Sequence, residues 1–140
     1  MGIKTVHDLK IYNQGMDLAM DIFNITRIFP EEEKYSLTSQ IIRASRSIPA
    51  NIREGFAKRY YENIFIRHLF DSLGSAEEVR TWLEFSLKCG YINDEQFALL
   101  NKSYEELGGM IFNTIKNWKP LKSKNDLLSD FESNYDTPNI

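Results

Sequence analysis

The sequence is poor in the residues that build disulfides and metal sites. Its 140 residues include one cysteine, Cys89, and two histidines, His7 and His68. One cysteine cannot form an internal disulfide, and these three residues cannot assemble an ordinary structural zinc site. Neither histidine stands three residues after a glutamate, which is the spacing found in bundles that hold two metals. We therefore expect no metal, no cofactor and no redox role.

Signatures of catalysis are also missing from the sequence. It has no glycine-rich phosphate loop, no Gly-x-Ser-x-Gly elbow, and no histidine suited to activating Cys89. We predict a protein that is not an enzyme.

Long apolar runs are absent as well. No stretch approaches the roughly 18 apolar residues that a membrane span needs, and no basic-plus-apolar leader stands at the N-terminus. We expect a cytoplasmic protein with no membrane partner. The content of 42% hydrophobic and 13% aromatic residues suits one globular domain with a substantial core.

Strand signals are nearly absent, and helical periodicity dominates instead. Four segments are periodic. The first covers residues 9–29, and the second begins between residues 31 and 37 and ends at 56. The third begins at 61 or 62 and ends at 88, and the fourth covers residues 93–118. Four long helices joined by short loops predict an antiparallel up-down-up-down four-helix bundle over residues 1–118. Residues 119–140 show no sustained apolar stripe, and we expect a flexible C-terminal tail there.

Helix boundaries can be read in two places. Gly90 is well placed to end the third helix. Asn93 with Gln96 resembles a capping box at the start of the fourth helix.

The second helix contains a proline in its middle. Its apolar stripe comprises Leu37, Ile41, Ala44, Ile48 and Ile52. Pro49 removes one backbone hydrogen bond and costs about 3 kcal/mol or more in a helix interior. Hydroxyl and amide groups of Ser45, Ser47 and Asn51 stand close enough to satisfy the freed carbonyl in part. We predict a kinked but continuous helix, whose bend either wraps it around the core or positions a subunit surface.

Basic residues gather on and after the second helix. Helical spacing places Arg43, Arg46 and Arg53 opposite its apolar stripe. Residues 43–67 hold two acidic residues, Glu54 and Glu62, and six basic ones: Arg43, Arg46, Arg53, Lys58, Arg59 and Arg67. Such a patch predicts nucleic-acid contact, to which Tyr60 and Tyr61 could add base stacking.

A different interpretation of the basic patch stays open. Charges on an outward helix face are also typical of a solvated surface or a set of salt bridges. The whole chain carries 17 basic and 20 acidic residues, for a net charge of −3, which counts against strong nonspecific nucleic-acid binding.

Three aromatic residues of the third helix lie to the sides of its core stripe. They are Phe70, Trp82 and Phe85. More large apolar side chains than one core face needs often mark a second buried surface, so we predict a subunit interface there. The alternative is that a wide core buries them.

His68 raises a separate hypothesis. The stretch RHLFDSLGSAEEV places a histidine on a bundle helix ahead of a Gly-Ser, somewhat like the phosphotransfer domains of two-component signalling. In those domains the Gly-Ser follows much sooner, whereas Gly74 lies six residues after His68. A partly exposed structural histidine is the favoured interpretation.

The second helix also carries a family resemblance. A Gln-x-x-Arg-x-x-x-Ser-x-Pro-x-Asn-Ile-x-Glu-Gly pattern falls on Gln40, Arg43, Ser47, Pro49, Asn51, Ile52, Glu54 and Gly55. With the later stretches GSAEEV and LKCGYI, residues 6–118 resemble the four-helix-bundle family encoded in intervening sequences of bacterial 23S ribosomal RNA genes. For most of that family the function is unknown.

The resemblance implies assembly and partners. It implies a homo-oligomer, often a pentameric ring, and kinship with the accessory protein of diversity-generating retroelements, which partners a reverse transcriptase and nucleic acid. We therefore expect a self-associating scaffold that binds RNA or a nucleoprotein. The alternatives are a protein-binding adaptor without nucleic acid and phosphotransfer through His68.

Overall fold

The part of the chain that the structure describes contains four long α-helices. A computed structural model describes residues 2–119, 125, 128, 129 and 132 of the chain. The helices are α1 (Lys10–Thr26), α2 (Leu37–Ala57), α3 (Glu62–Lys88) and α4 (Asp94–Asn117), with short 3-10 turns at Val6–Asp8 and Glu31–Glu33. The described residues contain no strand, which confirms the predicted all-α class.

The helices pack in chain order around a single core. Each packs against the next one along the chain and α1 packs against α4, while no close backbone approach crosses a diagonal in the described part of the bundle. This is the arrangement of an up-down-up-down bundle. Eleven large side chains of the described residues are wholly inaccessible to solvent: Ile22, Ile41, Ile48, Ile52, Phe65, Leu69, Val79, Leu83, Tyr104, Leu107 and Ile111.

The first helix is shorter than its apolar stripe predicts. It ends at Thr26 rather than near Phe29, and the Thr26 hydroxyl donates to the carbonyl of Phe23 at 2.9 Å. The residue before a proline is disfavoured in the helical conformation, and Phe29 precedes Pro30. Phe29 is still buried, with its ring 5.3 Å from that of Tyr91. The last residue of the apolar stripe, Phe29, therefore still packs in the core although the helix has already ended.

The second helix runs without interruption through Pro49. The predicted compensation for the missing hydrogen bond is wrong in its details. The side chains of Ser45, Ser47 and Asn51 donate to the carbonyls of Ile42, Ala44 and Ser47, not to that of Ser45, which the proline frees. Whether Pro49 bends the helix stays a prediction.

Pro49 lies against the first helix rather than solvent. It is buried, and a Cβ atom placed on Gly15 of α1 would lie 3.2 Å from Cγ2 of Ile48 and 3.5 Å from Cδ of Pro49. The absence of a side chain at Gly15 therefore lets α1 approach α2 closely at the proline.

The connection between α3 and α4 follows its predicted signals. Gly90 has a φ of 77°, a left-handed conformation that glycine adopts readily. Its N–H bonds to the carbonyl of Leu87 and the N–H of Tyr91 bonds to that of Ser86, both at 2.9 Å, as in a Schellman motif. Asn93 and Gln96 exchange both bonds of the predicted capping box. These local contacts set where α4 begins.

Most of the predicted C-terminal tail lies outside the described residues, so its flexibility stays a prediction. Asn125, Leu128, Ser129 and Glu132 have helical backbone and are exposed. Among the described residues, no helix has the length and apolar character required to cross a membrane.

Candidate nucleic-acid interface

The outer face of α2 presents three arginines. Arg43, Arg46 and Arg53 are all exposed. They lie on the side of the helix away from Ile41, Ala44, Ile48 and Ile52, which are buried against the neighbouring helices. The predicted division of α2 into an apolar face and a basic face is present in the structure.

Two of these arginines lie over aromatic rings of α1. The guanidinium carbon of Arg46 is 5.9 Å from the ring centre of Phe23, and that of Arg53 is 5.9 Å from the ring centre of Tyr12. Nη1 of Arg53 also donates to the Tyr12 hydroxyl at 3.2 Å. A cation is attracted to the electron-rich face of an aromatic ring. The rings of α1 therefore help to hold these side chains over the groove between the two helices.

Arg27 joins the same surface from α1. It follows the last residue of that helix, and its guanidinium carbon lies 5.7 Å from the ring centre of Phe23. Sequence reasoning missed Arg27, Phe23 and Tyr12. The spacing of four residues between Phe23 and Arg27 is a signal that the two side chains share a helix face. Their pairing with arginines of α2 depends on how the helices pack, which periodicity does not reveal.

The arginines of this surface form no ion pair with the described residues. Within the described part of the chain the lysines and arginines form ion pairs at Lys34–Glu31, Lys58–Glu54, Arg80–Glu77 and Arg80–Glu105. Arg27, Arg43, Arg46 and Arg53 take part in none of these pairs. Their positive charges are available to an external anion.

Charge is distributed unevenly over the bundle. Helix α2 carries three arginines against one glutamate, whereas α3 carries three basic against five acidic residues and α4 two basic against four acidic residues. The net charge of −3 therefore describes the whole chain and not this face. A basic surface on an acidic protein can still attract a polyanion locally.

The other predicted basic residues do not join this surface. Lys58 is exposed and lies 3.4 Å from a carboxylate oxygen of Glu54. Arg67 is exposed on α3, next to His68. Tyr60 and Tyr61 are exposed at the connection between α2 and α3, with their rings 5.1 Å apart. The predicted patch is thus divided among the face of α2, the end of the bundle and α3.

Arg59 is buried rather than exposed. Only 1% of it is accessible, its guanidinium carbon lies 3.9 Å from the ring centre of Phe56, and Nη1 donates to the Phe56 carbonyl at 2.9 Å. The surface position expected for Arg59 is therefore wrong. A guanidinium enclosed in this way does not reach a phosphate at the surface, so we leave Arg59 out of the interface.

The three aromatic residues predicted to form a subunit interface fall into two places. Phe70 is 49% exposed and Phe85 is 50% exposed, while Trp82 is half-buried against the core. The rings of Trp82 and Phe85 lie 5.7 Å apart. Phe70 precedes Trp82 by twelve residues on the same helix, so the two lie about 18 Å apart along the helix axis.

Trp82 and Phe85 belong to a groove between the start of α2 and the end of α3. The groove has a volume of about 380 Å³. Its other lining residues are Glu33, Tyr35, Ser36, Leu37, Gln40 and Cys89. Tyr35 is 87% exposed at its rim and was not predicted from the sequence.

His68 has a structural environment. Its Nδ1 lies 3.3 Å from Oδ1 of Asn51, a distance that fits a ring N–H donating to the amide oxygen. A Cβ atom at Gly55 would lie 2.5 Å from Cβ of His68, so the glycine allows α3 to pack closely on α2. The residues described by the structure include no group of three His, Cys, Asp or Glu side chains arranged to hold a metal.

These features define the protein as a four-helix bundle with a basic outer face on its second helix. The chain belongs to the 23S rRNA-intervening sequence protein family, whose model matches residues 7–113. No curated protein matches the chain.

A solved structure supports the same assignment. The chain is similar to a protein of unknown function from the S23 ribosomal protein family of Bacteroides thetaiotaomicron VPI-5482. The two share 30% sequence identity with a TM-score of 0.70, over 76% of this chain and 96% of that one. The family and the fold are thus established together.

Proposed function

We propose that this protein is a non-catalytic, self-associating scaffold that binds RNA, alone or within a nucleoprotein, through the outer face of α2. The observation that carries the proposal is the set of exposed arginines Arg43, Arg46 and Arg53, which share one helix face and enter no ion pair with the described residues. The face is formed by one continuous helix, so its charges have a defined spacing.

Guanidinium groups suit this role. Their planar donors match the oxygens of a phosphate group, and each phosphate that they neutralise releases counterions from the nucleic acid. Along α2, residues 43 and 53 are separated by about 15 Å, so the face can contact more than one phosphate of a strand. Such contacts give affinity without reading sequence.

Self-association would multiply these contacts. The groove that contains Trp82 and Phe85 supports it, because half-exposed aromatic side chains beside an apolar groove are typical of protein interfaces. The groove lies between α2 and α3, whereas Arg46 and Arg53 lean toward α1. An assembly that uses the groove therefore leaves the arginines on the α1 side accessible.

The second candidate function is a protein-binding adaptor. The acidic balance of α3 and α4 favours it, because basic residues of α2 in one subunit could pair with glutamates of another subunit. Phosphotransfer through His68 is disfavoured by the contact between its ring and Asn51 and by its half-buried position.

The deciding experiment is equilibrium binding of single-stranded and structured RNA at low salt. The scaffold proposal expects binding that weakens steeply as salt is added. Absence of binding to either RNA would favour the adaptor.

A further inference from the structure

Phe23 is contacted by two guanidinium groups that come from different helices. Arg27 reaches the ring from the end of α1, and Arg46 reaches it from α2, at 5.7 and 5.9 Å from the ring centre. Like charges are therefore gathered around a single half-buried side chain.

Among the described residues, no acidic group neutralises this arrangement. Neither Arg27 nor Arg46 forms an ion pair with any residue that the structure describes. Two positive charges that border the same ring repel each other, and a bound external anion would relieve this repulsion.

We infer that Phe23, Arg27 and Arg46 form a phosphate-binding site in which the aromatic ring holds both guanidinium groups for the phosphates of bound RNA. The site deepens the proposed function and rests on it. Phe23 is the positioning residue, because its ring lowers the number of orientations open to the two long side chains. The arginines supply the charge and the planar donors.

The second ring contact in the groove is of a different kind. Among the described residues, one guanidinium lies over Tyr12, and the Tyr12 hydroxyl accepts a hydrogen bond from Nη1 of that arginine, Arg53. Part of the donor capacity of Arg53 is thus already used within the protein. The site at Phe23 is the stronger of the two for a phosphate.

The test separates the ring from the charges. Phe23→Leu keeps both arginines and the apolar volume but removes the aromatic face. We expect it to weaken RNA binding at low salt by about three- to tenfold, with a nearly unchanged salt slope. Phe23→Tyr should restore the affinity. Arg27→Ala should instead flatten the slope of log affinity against log salt by about 0.7 to 0.9.

A matched control is available on α4. Phe112 is 51% exposed and no guanidinium of the described residues lies over its ring. Phe112→Leu should therefore leave RNA affinity unchanged, and circular dichroism should show the same helicity in both leucine variants. Equal losses of affinity in the two variants would overturn the inference.

A second measurement does not need RNA. The side-chain Nε–H signals of Arg27 and Arg46 can be followed by NMR during titration with inorganic phosphate. We expect both signals to shift together in the wild type and far less in Phe23→Leu. If neither shifts, the site is wrong even where RNA binds. If both shift but no RNA binds, the site stands as an anion site and the RNA function fails.

Discussion

The hydroxyl group of Tyr91 donates a hydrogen bond of 2.8 Å to the carboxylate of Glu33. This bond joins the connection between α1 and α2 to the connection between α3 and α4. Glu33 also accepts a hydrogen bond from the hydroxyl of Ser36, just before α2. Two bundle connections that are distant in sequence are therefore tied together beside the groove that contains Trp82 and Phe85.

This bond predicts a loss of stability in alkali. The hydrogen bond to Glu33 raises the pKa of Tyr91 from 10.0 to about 12, because a deprotonated Tyr91 could not donate. The folded pKa lies above the unfolded one, so the contribution is complete below pH 10 and disappears as the pH rises toward 12. Urea unfolding between pH 8 and 11.5 should show a steeper decline for the wild type than for Tyr91→Phe.

The control for this comparison is Tyr35→Phe, since Tyr35 is 87% exposed. It should decline in parallel with the wild type. The hydrogen bonds from Ser36 and Tyr91 lower the pKa of Glu33, so its contribution is present above its ordinary pKa and is lost as the pH falls through the folded pKa. Parallel alkaline curves for the wild type and Tyr91→Phe would contradict the assignment.

The hydroxyl group of Tyr104 should be dispensable. Tyr104 is inaccessible to solvent, and its hydroxyl has no hydrogen-bond partner among the described residues. Burial, with a smaller contribution from the charge of Asp21, raises its pKa. An unpaired buried hydroxyl costs free energy, so Tyr104→Phe should leave the free energy of unfolding unchanged or raise it by about 1 kcal/mol. A decrease of more than that amount in urea unfolding would reveal a partner for the hydroxyl.

Two glycines should respond to alanine in opposite directions. A Cβ atom at Gly55 would lie 2.5 Å from Cβ of His68, so Gly55→Ala forces α2 and α3 apart and should cost roughly 1 to 3 kcal/mol. Gly74 lies within α3 with nothing within 4 Å of the added atom, so Gly74→Ala should stabilise the helix by about 0.5 to 1 kcal/mol. Thermal unfolding measures both, and a stabilised Gly55→Ala would show that the helices do not pack as described.

The groove predicts self-association that depends on Phe85. Light scattering of the wild type should give a multiple of the 16.4 kDa monomer mass. Phe85→Arg places a charge beside Trp82 and should shift the mass toward the monomer, whereas Phe112→Arg places the same charge on an exposed aromatic position of α4 and should not. A wild-type monomer at tens of micromolar would remove the interface.

Periodicity and local capping signals account for most of the predicted fold. The apolar stripes, the turn at Gly90 and the capping box of Asn93 with Gln96 depend on residues close together in sequence, and the structure contains all three. The end of α1 was missed because Phe29 continues the apolar stripe after the helix ends at Thr26. Burial alone does not distinguish a last helical turn from a packed loop.

The candidate site was harder to predict because it depends on packing between helices. The spacing of Arg43, Arg46 and Arg53 identified an exposed basic face. It could not show that Phe23 of α1 lies beneath Arg46, or that Arg59 lies against Phe56 instead of in solvent. An arginine in a basic run is usually exposed, and only the tertiary contacts show the exception.

The motif on α2 also acquires a physical explanation. Pro49 packs against Gly15 of α1. Asn51 lies within hydrogen-bond distance of His68 of α3, and Gly55 packs closely against the same histidine. These three motif residues thus fit α2 against its two neighbours. Arg43 is the motif residue on the exposed basic face.

The central claim is that the outer face of α2 binds RNA phosphates, and the salt dependence of RNA binding tests it most directly. The slope of log affinity against log salt should be measured for the wild type and for a variant with Arg43→Ala, Arg46→Ala and Arg53→Ala. Exposed substitutions should leave helicity intact, while three lost phosphate contacts should flatten the slope by about two units or more per engaged subunit. An unchanged slope, or a wild type that binds neither single-stranded nor structured RNA at low salt, would contradict the account.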